Sequence, residues 1–344
     1  MKIRLLTLCS LVLCGSAAPL SAFPPPGFGP PSSGPLPKSQ IQITVKDGYR
    51  YISSNGIPDH QPGRFPNRNN PNTIRPQRYQ FRVPAEPKIA RNTTANSHSP
   101  FGIAINGVVF DAETAEFWNR DRRSGWNYEA LGGACKLGLD RYNAHVQPDG
   151  TYHYHSIPTG VVAASGGLSA PALIGYAADG FPIYGPYGYS DPSQKSGMKK
   201  LKSSYVIKSG TRPSGPGGRY NGKFTQDYAY VAGRGDLDQC NGRFAVTPEY
   251  PQGTYQYVVT DSFPYIPRCW MGSPDGSFMK LKGRPGGQRR SEVQDQELPV
   301  VPVQAEGRPP RFHLFGQRPP PPHGQGRRQG GPRRPGGRGP CSGS

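Results

Sequence analysis

The 344-residue sequence lacks the features of a helical protein or of a basic nucleic-acid-binding domain. Its 41 prolines and 46 glycines interrupt every stretch that could hold a long helix, which excludes a long helical protein. It has only 22 acidic residues against 41 lysines and arginines, yet residues 101–282 carry eighteen basic and fifteen acidic side chains. The positive charge therefore lies mostly at the ends, and specific nucleic-acid binding is not expected. The sequence also contains no phosphate-binding loop, no Gly-x-Ser-x-Gly nucleophile motif and no His-Glu-x-x-His zinc motif.

The two ends have the composition of export and tail segments. A short apolar run, Leu5–Leu13, follows two basic residues and precedes small ones, so residues 1–22 are predicted to be a signal peptide and the protein to be secreted or periplasmic. The proline-rich residues 23–38 are predicted to be a linker, and residues 283–344 a disordered, basic tail rich in glycine, proline and arginine. Such a tail suits attachment to anionic polysaccharide or to a membrane surface; a solvated tail without a partner is the alternative.

Residues 39–282 predict a single, mainly β domain, either a β-sandwich or an irregular barrel with long loops. Residues Ile41–Val45 alternate with a period of two and run into a Lys-Asp-Gly turn. Residues Gly102–Phe110 predict two strands around the turn Asn106-Gly107. Thr114–Trp118 is the one stretch typical of a helical turn.

Two stretches of the domain share the frame Leu-Asp-x-x-Asn, followed by Pro-x-Gly-Thr-Tyr-x-Tyr, and predict a duplicated hairpin. They begin at Leu139 and Leu237, and the second has five extra residues. The proline, glycine, threonine and both tyrosines occur in both copies, so the folding of the hairpin is sufficient to explain their presence. The histidines of the first copy do not recur: His145, His153 and His155 correspond to Arg243, Gln256 and Val258. The first copy therefore carries something that the hairpin itself does not require.

Alternation along a strand places His153 and His155 on one face. If Gly150 is left-handed and closes a three-residue loop, His145 lies directly opposite His153, and the three imidazoles converge. A four-residue loop would instead pair His145 with Tyr152 and separate them. Three neutral imidazoles suit copper, zinc or iron. His60 is a candidate fourth ligand, with capping of its loop as the alternative.

The run Tyr152–His155, together with Asn55–His60, Asp179–Pro186 and Cys240–Arg243, resembles the YHYH-domain family of secreted proteins. The resemblance covers roughly residues 40–275 and implies family membership without implying an activity. Some members carry histidines in the second repeat as well, whereas this chain does not, so no second site is implied.

Four cysteines remain after the predicted signal peptide, and export permits disulfides among them in three possible pairings. Cys240 and Cys269 flank the second hairpin and occur in the family-like motifs, which favours their pairing. Cys135 with Cys341 would attach the tail to the domain, and ligation of a metal by thiolates is the alternative use of these residues. Asp179, in an Asp-Gly sequence, is a turn residue in the first interpretation and a carboxylate of a site in the second.

Three hypotheses for function follow. The first is an exported protein that binds a transition metal through the histidines, with copper ahead of zinc and iron. The second is a secreted metal-dependent oxidoreductase. The third is a surface or matrix interaction module that uses the basic tail.

Overall fold

The structure, a computed structural model, describes residues 35–96, 98–165, 170–279 and Cys341. The predicted signal peptide, most of the predicted linker and all of the predicted tail except Cys341 lie outside these residues. Among the helices described, none is long and apolar enough to cross a membrane.

Within the described ranges, seventeen short strands, two short α-helices and three 3₁₀ turns make up the secondary structure. The strands are Ile41–Lys46 (β1), Tyr49–Ser54 (β2), Tyr79–Pro84 (β3), Thr94–Ala95 (β4), Gly102–Ala104 (β5), Val109–Phe110 (β6), Ala144–Val146 (β7), Tyr152–Tyr154 (β8), Leu173–Ala177 (β9), Pro182–Tyr184 (β10), Tyr187–Tyr189 (β11), Met198–Lys200 (β12), Tyr205–Ile207 (β13), Tyr228–Tyr230 (β14), Gly242–Ala245 (β15), Thr254–Val258 (β16) and Cys269–Trp270 (β17). The α-helices are Thr159–Ala164 (α1) and Gly276–Met279 (α2), and the 3₁₀ turns are Trp118–Arg120, Arg122–Ser124 and Thr225–Asp227.

The mainly β prediction is confirmed, and of its two alternatives the structure matches a sandwich. An eight-stranded mixed sheet has the order β15-β16-β10-β9-β5-β6-β8-β7, and a three-stranded antiparallel sheet has the order β1-β2-β3. The large sheet ends at β15 and β7, so it is open rather than closed into a barrel. Three two-stranded ribbons, β11-β12, β13-β14 and β17-β4, complete the strands of the described chain.

The small sheet shares one hydrophobic core with the large sheet. Strand β3 alternates buried and exposed side chains, so Phe81 and Val83 point into that core. There they join Ile103, Ile174 and Ile183 from the central strands of the large sheet. Each such side chain contributes about 1.5–3 kcal/mol when it is fully buried.

Both predicted turns are present. Asp47 and Gly48 have positive φ angles of 51° and 74° and join β1 to β2 as a two-residue hairpin turn. Gly107 has a φ of 84°, and a Cβ atom there would lie 2.2 Å from the Ser54 hydroxyl oxygen, so the Asn106-Gly107 turn between β5 and β6 needs glycine.

The predicted helical turn at Thr114–Trp118 is displaced: the first 3₁₀ turn begins only at Trp118. The two α-helices are not predicted from the sequence. Helix α1 spans six residues, which is too short to produce a helical period of apolar residues, and tertiary contacts hold it: Val161 is buried in the main core.

The large sheet consists of two similar halves, so the duplication extends beyond the hairpin. Each half contains an inner and an outer antiparallel hairpin, and one strand of the outer hairpin pairs in parallel with the second strand of the inner one. In the first half β8 of the hairpin β7-β8 pairs with β6 of β5-β6, and in the second half β16 of β15-β16 pairs with β10 of β9-β10. The halves meet at β5 and β9 in a symmetric register, where Gly102 pairs with Ala177 and Ala104 with Gly175. The histidine-bearing hairpin and its counterpart are therefore the two edges of one sheet.

Candidate metal centre

The register on which the histidine hypothesis depends is the one observed in the hairpin β7-β8. His145 pairs directly with His153, and the Gln147 amide donates to the Thr151 carbonyl at 2.9 Å. Gly150 has a φ of 93°, so the connecting loop is the predicted three-residue loop.

The three imidazoles of this hairpin meet through their Nε2 atoms. Nε2 of His155 lies 3.0 Å from Nε2 of His153 and 3.1 Å from Nε2 of His145. The ligand atoms of the three residues all lie within 4.8 Å of one another, and no other such group occurs in the described part of the chain. We call these three residues the histidine cluster. Two of its members are buried and His145 is half-buried, so a bound ion would be shielded from bulk solvent.

The outer nitrogens of two rings are fixed by backbone carbonyls. Nδ1 of His145 lies 3.0 Å from the carbonyl oxygen of Leu137, and Nδ1 of His153 lies 3.2 Å from that of Thr151. A carbonyl can only accept, so each Nδ1 carries the proton, and each Nε2 presents a lone pair toward the cluster. Nδ1 of His155 is buried beside the backbone of Asp111 and completes no hydrogen bond. Such outer contacts hold metal-binding histidines in the ligating tautomer.

Burial keeps the cluster neutral. Desolvation, together with repulsion from His153, lowers the pKa of His145 to about 3. Desolvation lowers the pKa of His153 to about 4. Desolvation and the two neighbouring rings hold the pKa of His155 well below its usual value. At neutral pH all three imidazoles are uncharged, which is the form that binds a metal.

His60, the candidate fourth ligand, lies apart from the cluster. Its Nε2 atom is 2.9 Å from the Tyr154 hydroxyl, and its ring lies 3.7 Å from that of Tyr142. Tyr154 points to the opposite face of strand β8 from His153 and His155, so the structure does not bring His60 to the three histidines. Burial lowers the pKa of His60.

The tyrosines between the histidines belong to the scaffold, as the duplication predicts. Tyr152 donates to Asp140 at 2.7 Å, and its counterpart Tyr255 donates to Asp238 at 3.0 Å. Asn106 donates to the Tyr154 hydroxyl at 2.9 Å.

The counterpart of Asn106 in the other half is Asp179, which the sequence marks as a turn residue. Asp179 accepts hydrogen bonds from the Tyr257 hydroxyl at 2.6 Å and from the Gly272 amide at 2.8 Å. Burial raises the pKa of Asp179 to about 6. Its contacts in the structure are those of a turn that supports the second half of the sheet.

The second hairpin has the same strand pairing without the histidines. Arg243 pairs with Gln256 where His145 pairs with His153, and Val258 stands at the position of His155. The guanidinium of Arg243 donates to the Tyr189 carbonyl at 2.9 Å. The same backbone thus exists in this protein once with three imidazoles and once with none.

Two disulfides involve all four cysteines that follow the predicted signal peptide. Cys240 pairs with Cys269, as predicted, and Cys135 pairs with Cys341. The four sulfurs are therefore not free as thiolate ligands.

A cavity beside the cluster was missed from the sequence. It has a volume of about 390 Å³ and is lined by His153, by the loop of the β7-β8 hairpin, by Tyr79 and by Asp111. Burial raises the pKa of Asp111 to about 6. Its backbone amide donates to the Tyr154 carbonyl at 2.9 Å, which places this carboxyl next to the histidine strand. Tyr79 comes from a strand more than seventy positions earlier, and no local pattern links it to the hairpin.

A family model described as "YHYH protein" matches residues 80–272, more than half of the chain. This range includes the histidine cluster and both hairpins, and begins and ends inside the described domain. In the same comparisons no curated protein and no solved structure matches the chain significantly. The chain belongs to the YHYH protein family.

Proposed function

We propose that this is an exported metal-binding protein whose metal site is formed by His145, His153 and His155. The observation that carries the proposal is the convergence of three neutral imidazole Nε2 atoms. The two disulfides are compatible with an oxidising compartment, where such bonds persist. Export itself and the binding of anionic surfaces by the tail stay predictions from the sequence.

The hydrogen-bonding capacity of the three rings favours a cluster that holds a metal ion over one that is metal-free. His145 and His153 both turn a lone pair inward, so the only proton available between the three Nε2 atoms is one on His155. A single N–H cannot satisfy two acceptors fully, and a buried polar atom left unsatisfied costs about 1–3 kcal/mol. One metal ion would accept all three lone pairs.

Copper is the metal that the cluster favours, with zinc and iron as the other fits. Imidazole nitrogen binds all three, and among divalent ions of this series copper binds most tightly. The three residues that would hold the ion are His145, His153 and His155, each through Nε2.

Elemental analysis of the full-length protein, purified from its native compartment, tests the proposal. We expect about one equivalent of metal per chain. In the double variant His153→Gln with His155→Val, which introduces the residues of the second hairpin, this metal should be lost while the fold is retained. The control is Gln256→Ala, which alters a buried residue of the second hairpin and should leave the metal content unchanged. Equal metal in the wild type and the double variant would refute the site.

A second candidate, a metal-dependent oxidoreductase, is favoured by the cavity that reaches His153 and by the buried carboxyl of Asp111 at its wall. Oxygen consumption by the copper-loaded protein with a phenol, catechol, separates the two functions. Turnover in the wild type that disappears in the double variant would identify an enzyme. A copper-loaded protein that consumes no oxygen with catechol would favour a binding role.

A further inference from the structure

The cavity beside the histidine cluster is bounded by polar groups that have no partner within the described chain. Tyr79 is 3% exposed, and its hydroxyl lies beside Thr151 without completing a hydrogen bond. Gln147, on the hairpin strand before the loop, is half-buried, and its side chain takes part in no hydrogen bond among the described residues. Buried polar groups are almost always paired in folded proteins, so the unpaired Tyr79 hydroxyl on the cavity wall points to a bound molecule that pairs with it.

The charge of the lining restricts the class of ligand. Asp111 and Asp149 both line the cavity, and no lysine or arginine of the described residues does. His98 also lines it, and its Nδ1 atom lies 2.9 Å from a carboxylate oxygen of Glu113, which offsets a charge on this ring. The field of two carboxylates disfavours an anionic ligand. The divalent ion of the proposed metal site, held by neutral imidazoles, would disfavour a cationic one. A neutral ligand is repelled by neither the carboxylates nor the ion.

The remaining lining suits a molecule with both hydroxyl groups and apolar faces. Tyr79 offers a hydroxyl donor, and the carboxamide of Gln147 and the Thr151 hydroxyl can each donate and accept. Val109 and Pro148 provide apolar surface between these groups. A sugar ring has this combination, since its hydroxyls lie around the edge and its C–H groups on the faces. The volume of about 390 Å³ lies within the range typical of small-molecule pockets.

We propose that the cavity lined by Tyr79, Gln147, Thr151 and His153 binds a neutral, hydroxyl-rich ligand of the saccharide class next to the histidine cluster. The inference rests on the proposed metal site, because the ion's charge is what makes a cationic ligand unfavourable. It adds a ligand class to that site.

Calorimetric titration of the full-length protein with sugars of matched shape and different charge tests this inference. The probes are glucose and galactose, their uronic acids, and glucosamine and galactosamine. We expect at least one neutral sugar to bind, and we expect the protein's affinity for the corresponding uronic acid and amino sugar to be lower by about tenfold or more. Absence of binding by both neutral sugars, or equal affinity for a charged analogue, would overturn the inference.

Two variants assign the binding to this cavity. Tyr79→Phe removes only a hydroxyl, and Thr151→Val replaces a hydroxyl by a methyl group. Each substitution should lower the affinity for the neutral sugar about fivefold or more. The control is Thr254→Val, the equivalent change in the second hairpin, which should leave the affinity unchanged. Equal affinity in Thr151→Val and the wild type would overturn the inference even if the protein binds sugar.

Metal content measured on the same samples separates this inference from the proposed function. A sample that contains metal but does not prefer the neutral sugar contradicts the cavity inference alone. A sample without metal that still binds a neutral sugar, with weaker binding in Tyr79→Phe and Thr151→Val, contradicts the metal site alone. Thr151→Val should keep its full metal content, because only the backbone carbonyl of Thr151 holds His153.

Discussion

At the scale of single residues, the environment of the three histidines determines both their charge and their hydrogen-bonding form. A histidine on the surface of a protein is partly protonated near neutral pH, whereas burial holds His145 and His153 neutral down to pH values of about 3 and 4. Two carbonyls then select the tautomer that turns Nε2 inward. Neutrality and orientation together suit these side chains to bind a metal ion. His60 also has a lowered pKa, but it contacts the Tyr154 hydroxyl on the other face of the strand.

The lowered pKa values predict a pH-dependent stability difference between the metal-free wild type and the variant that combines His145→Arg, His153→Gln and His155→Val. A histidine whose pKa is lower in the folded state than in the unfolded state takes up protons on unfolding. Its contribution to stability is therefore present above pH 6.5 and is lost as the pH falls through the window from about 6.5 to 4. Each such histidine contributes a slope of about 1.4 kcal/mol per pH unit within that window.

Urea unfolding of both proteins at several pH values between 4 and 7 measures this difference. Comparing the two proteins cancels the opposite slopes of Asp111 and Asp179, whose raised pKa values make stability fall with rising pH over part of the same window. Parallel stability curves for the wild type and the variant would show that the histidines are not buried as neutral groups.

At the scale of elements, the three-residue loop of the β7-β8 hairpin fixes the cluster. Because side chains alternate along a strand, a shift of one residue in register moves His145 away from His153. Inserting one glycine after Asp149 is expected to break the cluster and to lower the bound metal from about one equivalent to almost none, as measured by elemental analysis.

The matched insertion is one glycine after Gln252, in the loop of the second hairpin. It lengthens a loop of eight residues between the paired Ala245 and Thr254 and should leave the metal content unchanged. Loss of metal from both insertion variants would mean that the sheet as a whole, rather than the register of the first hairpin, holds the site.

Much of this element could be predicted from the sequence, and the reason is local. The loop Pro148-Asp149-Gly150 selects the register, and the register determines which side chains meet. The second hairpin supplied a comparison inside the same chain, so the tyrosines could be assigned to folding and the histidines to a site. The cavity could not be predicted, because Tyr79 and Asp111 reach the hairpin only through the pairing of distant strands. Helix α1 was missed because its six residues are held by packing rather than by their own pattern.

At the scale of the whole molecule, a disulfide connects Cys341 to the segment that orients one histidine of the cluster. Cys341 is bonded to Cys135, 206 positions earlier. Cys135 and Leu137 form, with Ala130, a small hydrophobic cluster separate from the main core. The carbonyl of Leu137 accepts the hydrogen bond from Nδ1 of His145. The disulfide therefore stabilises a peripheral segment on which the geometry of the histidine cluster depends.

Removal of this disulfide in Cys135→Ser with Cys341→Ser is expected to lower the stability by about 2–5 kcal/mol. The same change should weaken metal binding by about tenfold, because His145 loses a fixed hydrogen-bond partner. Competition with a chelator measures the affinity, and urea unfolding measures the stability. The double variant Cys240→Ser with Cys269→Ser serves as the control: it should lose stability, while the folded protein keeps its metal affinity. Equal metal affinities in the wild type and both double variants would show that the Cys135–Cys341 disulfide does not support the metal site.

The central claim, that one ion is bound by three imidazoles, is tested most directly by diffraction from crystals of the copper-loaded full-length protein at the copper absorption edge. The account predicts one anomalous peak at about 2.0–2.1 Å from Nε2 of each of His145, His153 and His155. The absence of a peak at the cluster, or a peak at other residues only, would contradict it.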